Sequence, residues 1–265
     1  MEYIKTVWKD LPDETTPLSA ANLNKIEDAL ETLSNNPTSS DWNSISATLT
    51  YASANSPTFV VNTSVDLTSI ISVGMKLKLI QTTVKYFIVT AITSTTITLY
   101  GGTDYTLANA TITLPYLSFV KAPFGFPLNP EKWTVTATFN TNVPQTSAGA
   151  NTWYNLNSAL IAVPIGLWKM EYLVIAQCGP GASADRYLNV TLSTANNSQS
   201  NSAYSNQFAQ PACTFSRFPF YKEFIYSTAS KISLYLNTMS NVAVESLSNL
   251  GTETPTIIKA VCAYL

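Results

Sequence analysis

Residues 75–100 read MKLKLIQTTVKYFIVTAITSTTITLY, and the pattern in this stretch decides the fold class. Its runs 75–80, 85–89 and 95–100 are built from β-branched, aromatic and Leu residues, with apolar and polar side chains largely alternating. A period of two belongs to strands with one face buried, and such side chains suit a pleated surface. Gln81-Thr82-Thr83 and Gly101-Gly102-Thr103-Asp104 separate or end the runs as turn signals. Upstream, 48–51 and 58–61 repeat the pattern around Asn55-Ser56-Pro57. The spacing predicts antiparallel hairpins that close into a small β-barrel, with 107–120 as a last excursion along its side.

Beyond this block lies KAPFGFPLNPEKW (121–133), where Pro123, Pro127 and Pro130 interrupt any ladder. It reads as a rigid joint between domains. Strand patterns resume at 134–139, 152–156, 166–176, 186–192, 218–226, 231–236 and 256–265. That number and spacing predict a second, larger β-sandwich, with a jelly roll as the expected order. The expected division is therefore an arm and helix at 1–40, a barrel at 41–127 and a sandwich at 128–265.

PLSAANLNKIEDALETL (17–33) is the convincing helix. Leu23, Ile26, Leu30 and Leu33 step by three, four and three, which gives one narrow apolar stripe. Ser19 is the expected N-cap, and Asn35-Asn36-Pro37 ends the helix. A helix this short is marginal alone in water, so the stripe needs a partner. The reading is an oligomer-forming stalk; the alternative is a helix packed on its own domain. Ahead of it, Tyr3, Val7 and Trp8 are apolar residues without a core of their own, as in an arm that docks on a neighbour. The alternative there is an arm folded back over the first β domain.

The whole composition narrows function. Charged residues make up 11% of 265 residues, against about 25% in an ordinary soluble protein. A net charge of −2 leaves no basic face for phosphates, so nucleic acid is not an expected partner. No apolar run reaches bilayer-spanning length, and MEYIKTVWKD lacks the apolar centre of a signal peptide. The chain is expected to be made in a cytoplasm and not to insert in a membrane.

With no histidine, Ser-His and Cys-His catalysis is excluded, and Cys178, Cys213 and Cys262 lack zinc spacing. Asp66, Asp104, Asp185, Glu223 and Glu245 are isolated acids within β context. No cofactor, metal or enzymatic activity is expected. Gly179-Pro180 opens a hairpin turn, and Asp185-Arg186 after it reads as a surface pair or as partners of turn backbone groups.

One stretch has a recognition composition: TANNSQSNSAYSNQFAQ (194–210). Asn201, Asn206 and Gln207 offer paired donors and acceptors that match sugar hydroxyls, while Tyr204 and Phe208 offer flat faces for pyranose rings. A host cell-surface glycan is the partner this composition suits. The alternative is a solvated loop whose aromatics cover the sandwich edge.

Three stretches resemble known families. Trp8, Asp10, Thr16-Pro17-Leu18-Ser19-Ala20 and Asn22-Leu23-Asn24-Lys25-Ile26-Glu27 resemble the amino-terminal segment of bacteriophage tail-fibre, baseplate and receptor-binding proteins. Many members carry an acid where this chain has Asn22. The block 51–126 resembles a connector module of prophage-encoded tail and fibre proteins, through 73–87, 105–110 and Gly125-Phe126-Pro127. Val163-Pro164-Ile165-Gly166-Leu167-Trp168 resembles the P-x-G-x-W/Y strand of trimeric C1q-like and tumour-necrosis-factor-like jelly rolls and of related phage fibre heads. The resemblance implies a virion protein, homotrimeric, joined to other virion proteins by its arm and presenting a jelly-roll head for host attachment. A purely architectural collar, baseplate or decoration protein is the alternative. A glycan depolymerase is a further one, although its repeated β-helix coils are missing from the sequence.

Overall fold

The computed structural model describes residues 20–35, 41–103, 107–180, 186–210 and 216–265. Among these the chain is mainly β, with a single α-helix, α1 (Ala20–Asn35). Its start and end match the stretch rich in Leu, Ala and Glu that stops before Pro37. Ser19 lies outside the described residues.

The first β block has strands β1 (Asn43–Ser44), β2 (Leu49–Asn55), β3 (Thr58–Thr63), β4 (Lys76–Gln81), β5 (Thr83–Ile92), β6 (Thr96–Tyr100) and β7 (Thr113–Ser118). They form one seven-stranded sheet in the order β1-β7-β4-β5-β6-β3-β2. Every pairing in it is antiparallel. Leu77 and Leu79, Phe87 and Val89, and Ile97 and Leu99 come from the three central strands and meet Leu49, Phe59, Val61 and Leu117 in one buried cluster. The expected closed barrel is not formed: among the described residues the sheet is open, with β1 and β2 at its ends. The reason is local. β1 is 2 residues long and pairs only at Asn43↔Leu117 and Ser44↔Tyr116, while β2 shifts register between Tyr51 and Ser53. A short edge and a bulge are how open sheets blunt their ends.

The chain enters and leaves this block at one place. Trp42 Nε1 donates to Phe124 O at 2.8 Å, and Phe124 N donates to Asp41 Oδ2 at 3.3 Å.

The second block holds β8 (Thr134–Phe139), β9 (Gln145–Ala148), β10 (Thr152–Tyr154), β11 (Leu160–Val163), β12 (Gly166–Cys178), β13 (Arg186–Ser193), β14 (Ser205–Gln210), β15 (Ser216–Thr228), β16 (Ile232–Ser240), β17 (Val244–Asn249) and β18 (Thr256–Cys262). One sheet is ordered β10-β16-β13-β14, with β11 also on β16. The other is ordered β8-β18-β12-β17-β9, with β15 along the far edge of β12. Strand β12 alternates strictly: Trp168, Met170, Tyr172, Val174 and Ala176 are buried, and the residues between them are not. Those buried side chains join Leu188, Val190, Leu192, Leu234 and Leu236 of the facing sheet in one core. Tyr172 Oη crosses between the sheets to Val190 O at 3.0 Å, which satisfies the one polar atom its ring carries inward.

The two blocks share that core. Trp42, Ile88, Tyr100, Phe126 and Trp133 belong to the same buried cluster as Trp168. Phe126 stacks on Trp133 at 5.1 Å and 6°. Tyr100 meets Trp168 edge-on at 5.0 Å. Trp133 Nε1 donates to Pro127 O at 2.7 Å, so the proline-rich segment is folded into the contact instead of standing between the blocks. The expected boundary at 127/128 runs through this aromatic cluster. Gly102, at φ +83°, completes the junction, because a Cβ there would lie 2.6 Å from Lys132 O.

Candidate functional site

Residues 194–210 do not form one loop. Thr194 to Asn201 connect strands, Ser202–Tyr204 make a 3₁₀ turn, and Ser205–Gln210 become β14, an edge strand paired with β13. The alternation Asn206, Phe208 against Gln207, Ala209 is a strand period that the polar composition of the stretch conceals.

Four of the five candidate contact residues have local work to do. Asn201 Oδ1 caps the turn by accepting from Ala203 N at 2.9 Å. Asn206 Oδ1 accepts from Gln207 N at 2.9 Å, and its Nδ2 donates to Tyr221 O at 3.0 Å on β15. The Tyr204 ring is half-buried and stacked on Phe224 at 4.2 Å and 18°, with Tyr226 edge-on at 5.9 Å. Phe208 is 38% exposed, stacked on Phe218 at 5.7 Å and met edge-on by Phe220 at 5.1 Å. Gln207 is exposed. The structure thus gathers the five residues along one strand and turn, but spends one face of each ring on β15. Together these rings close the flank where the two sheets end.

The outward face of β12, β15 and β18 is a feature that the sequence reading passed over. Tyr221 and Ile225 are 54% and 58% exposed there. A charged ladder runs between them: Lys169 Nζ–Glu223 Oε2 at 2.9 Å and Lys259 Nζ–Glu171 Oε1 at 3.1 Å. The hydrogen bond to Lys169 holds the Glu223 carboxyl below its ordinary value, and the same bond raises Lys169. Both stay charged, and being exposed they add little to stability. The signal was present in RFPFYKEFIYS, where Tyr221, Glu223 and Ile225 alternate with the less exposed Phe220, Lys222, Phe224 and Tyr226, three of them aromatic.

On α1, Leu23 is half-buried while Ile26 and Leu30 are 53% and 45% exposed. The Leu33 side chain and the arm residues Tyr3, Val7 and Trp8 lie outside the described residues. Arg186 is not at the surface: it is buried, and its Nη1 donates to Gly179 O at 3.0 Å, so of the two expectations for it the turn-backbone role holds. Asp185 and Cys213 are outside the described residues. Cys178 and Cys262 are buried free thiols, both pushed up by burial, Cys262 to about 11. Among the described residues no group of three or more His, Cys, Asp or Glu could hold a metal ion. None of the helices there is long and apolar enough to cross a membrane.

No family model and no curated protein matches the chain. Among solved structures it is similar to a chain of the T13 IBDV viral particle, at 10% identity and a TM-score of 0.29 over 85% of this chain and 77% of that one. It is also similar to a chain of the infectious bursal disease virus Gx strain, at 13% identity and a TM-score of 0.27 over 82% and 55%. Dimeric latent PorU from Porphyromonas gingivalis matches at 10% identity and a TM-score of 0.28, over 83% of this chain and 24% of that chain. Likeness at these TM-scores does not assign the chain to a family.

Proposed function

We propose that the protein is a non-enzymatic component of a phage particle: a fibre protein held by its amino-terminal arm and assembled as a homotrimer. Its C-terminal β block is a jelly-roll head that serves host attachment. The observation that carries the assembly part is the stripe on α1, where Ile26 and Leu30 remain exposed in the single chain. An apolar seam of this kind is covered by equivalent helices in an oligomer. The virion setting rests on the resemblance of residues 8–27 and 51–126 to phage tail and fibre proteins. The exposed Tyr221 and Ile225 beside the Lys169–Glu223 ladder give the head a second surface for its neighbours.

The architectural alternative draws support from one observation. Tyr204 and Phe208 each stack on an aromatic of β15, the edge strand of the facing sheet, which leaves less ring surface for a sugar. The test of assembly is mass in solution by light scattering. Native protein should have three times the chain mass, and Leu23→Asp with Ile26→Asp should lower it by placing charge in the seam. Native protein at monomer mass would remove the stalk from the proposal.

A further inference from the structure

A cleft of about 400 Å³ opens between the start of β9, the end of β10 and the residue 194–201 connection. That lies near the lower end of the volumes that hold small ligands. Gln145, Tyr154, Asn155, Asn157 and Asn197 line it, with Pro144 at one side, and no lining residue is charged.

The walls are pinned from behind. Asn197 Oδ1 accepts from Asn155 N at 2.6 Å. Asn155 Nδ2 donates to Ala159 O at 2.7 Å and to Leu236 O at 3.0 Å. Tyr154 Oη accepts from Gly149 N at 2.9 Å, and Asn157 Nδ2 donates to Thr141 O. Asn157 Oδ1, in contrast, is buried without any hydrogen-bond partner. Such an orphan acceptor is rare in a folded protein and calls for an explanation. The backbone around it is unusual as well: Asn157, Ser158 and Asn197 have φ of 62°, 51° and 52°, in the left-handed region where non-glycine residues are uncommon.

We propose that this cleft is a binding site for a neutral saccharide unit. Amides supply both donors and acceptors, which is what a ring of hydroxyls presents in return. The missing charge disfavours phosphates and acidic sugars, which would be desolvated without a counter-ion. Pro144 and the Tyr154 ring provide an apolar wall for a sugar's C–H face. A hydroxyl entering the cleft supplies the donor that Asn157 Oδ1 lacks when the amide turns about its soft terminal torsion, a turn that gives up the Nδ2 bond to Thr141 O in exchange. The inference deepens the attachment reading and rests on it for the source of the saccharide. It also moves the contact away from the committed rings of Tyr204 and Phe208.

The experiment uses the full chain, with galactose, glucose, mannose, N-acetylglucosamine and their disaccharides as probes in saturation-transfer NMR titrations, and glucuronic acid as the charged comparison. Asn157→Gly removes the orphan oxygen while keeping a residue at ease with positive φ. Gln145→Ala trims the rim and serves where the first variant folds poorly. The expected result is binding of a neutral sugar, weakened roughly three- to tenfold by either variant as a hydrogen bond is lost. Equal binding in both folded variants, or no binding of any neutral probe by the wild type, overturns the cleft. Adsorption of the same proteins to host cells separates the two readings. Sugar binding that depends on Asn157 without cell adsorption keeps the cleft and rejects the attachment role. Cell adsorption with sugar binding indifferent to both variants does the reverse.

Discussion

Lys76 Nζ donates to the backbone carbonyl of Tyr264 at 2.6 Å and to Gly74 O at 3.1 Å, although Lys76 is only 2% exposed. A cation from β4 thereby holds the residues just past β18, and the first block is tied to the end of the second. Burial pulls the Lys76 ammonium below its ordinary value, with the Lys121 charge adding to the fall and Cys262 opposing it. Lys76→Met keeps the stem and removes both bonds, leaving Tyr264 O without this donor. The expected loss is about 1–3 kcal/mol in chemical denaturation. A variant as stable as the parent would show that desolvation of the ammonium cancels its bonds.

Alkali should weaken the fold. Burial raises the phenols of Tyr100 and Tyr172 and the thiol of Cys262, the last from 9.0 to about 11. An unfolded chain releases these protons first, so the unfolded state binds fewer protons and stability falls as pH climbs from the ordinary values toward the raised ones. Lys76 acts with the opposite sign: its depressed value makes the unfolded state the better proton binder, so its share rises with pH up to 10.5. Denaturation midpoints measured from neutral pH to above the ordinary tyrosine value of about 10 should fall. They should fall more steeply in Lys76→Met than in the parent.

The shared aromatic core predicts one transition for both blocks. Trp133→Ala removes the Phe126 stack and the Tyr100 contact and should cost about 3–5 kcal/mol. It should also separate unfolding into two steps, seen as non-coincident fluorescence and far-ultraviolet dichroism curves. A single coincident transition in the variant would place the coupling elsewhere.

Tyr204→Ala distinguishes packing from recognition at β14. Its ring lies on Phe224 at 4.2 Å, so the substitution should lower stability by about 1–3 kcal/mol, more than a surface change does. Unchanged melting together with lost cell adsorption would return this residue to the role of a ligand contact.

What the sequence discloses follows from where each pattern is enforced. β4, β5 and β6 are legible because Leu77, Phe87 and Ile97 each sit in an alternation dictated by one buried face. QTSA of β9 and VESLSN of β17 have little such alternation of their own, and in SNQFAQ of β14 the polar composition conceals it. Their partners on the sheet, such as Val190 opposite Asn206 and Thr146 opposite Ser246, make them strands. Barrel closure depends on whether a two-residue β1 can reach β2, which no periodicity encodes. At the candidate surfaces, Tyr204 and Phe208 stand out as aromatics, but their partners Phe224 and Phe218 lie on β15 and are found only in three dimensions. The amide cleft is assembled from 143–145, 154–158 and 197, none of which forms a motif.

The clasp of Trp42 and Asp41 on Phe124 has a mechanical consequence. If the chain is pulled between its helix and its last strands, as a tethered attachment protein would be, the tension reaches residues 41–42 and can cross directly to Phe124. The seven-stranded sheet then lies beside the main line of force as a side loop, loaded only through its contacts with the second block, such as Lys76 on Tyr264, until the hydrogen bonds of the clasp open. Stretching single molecules should accordingly register the clasp and the Trp133 junction as the first resistance, with the length stored in residues 43–123 released only afterwards.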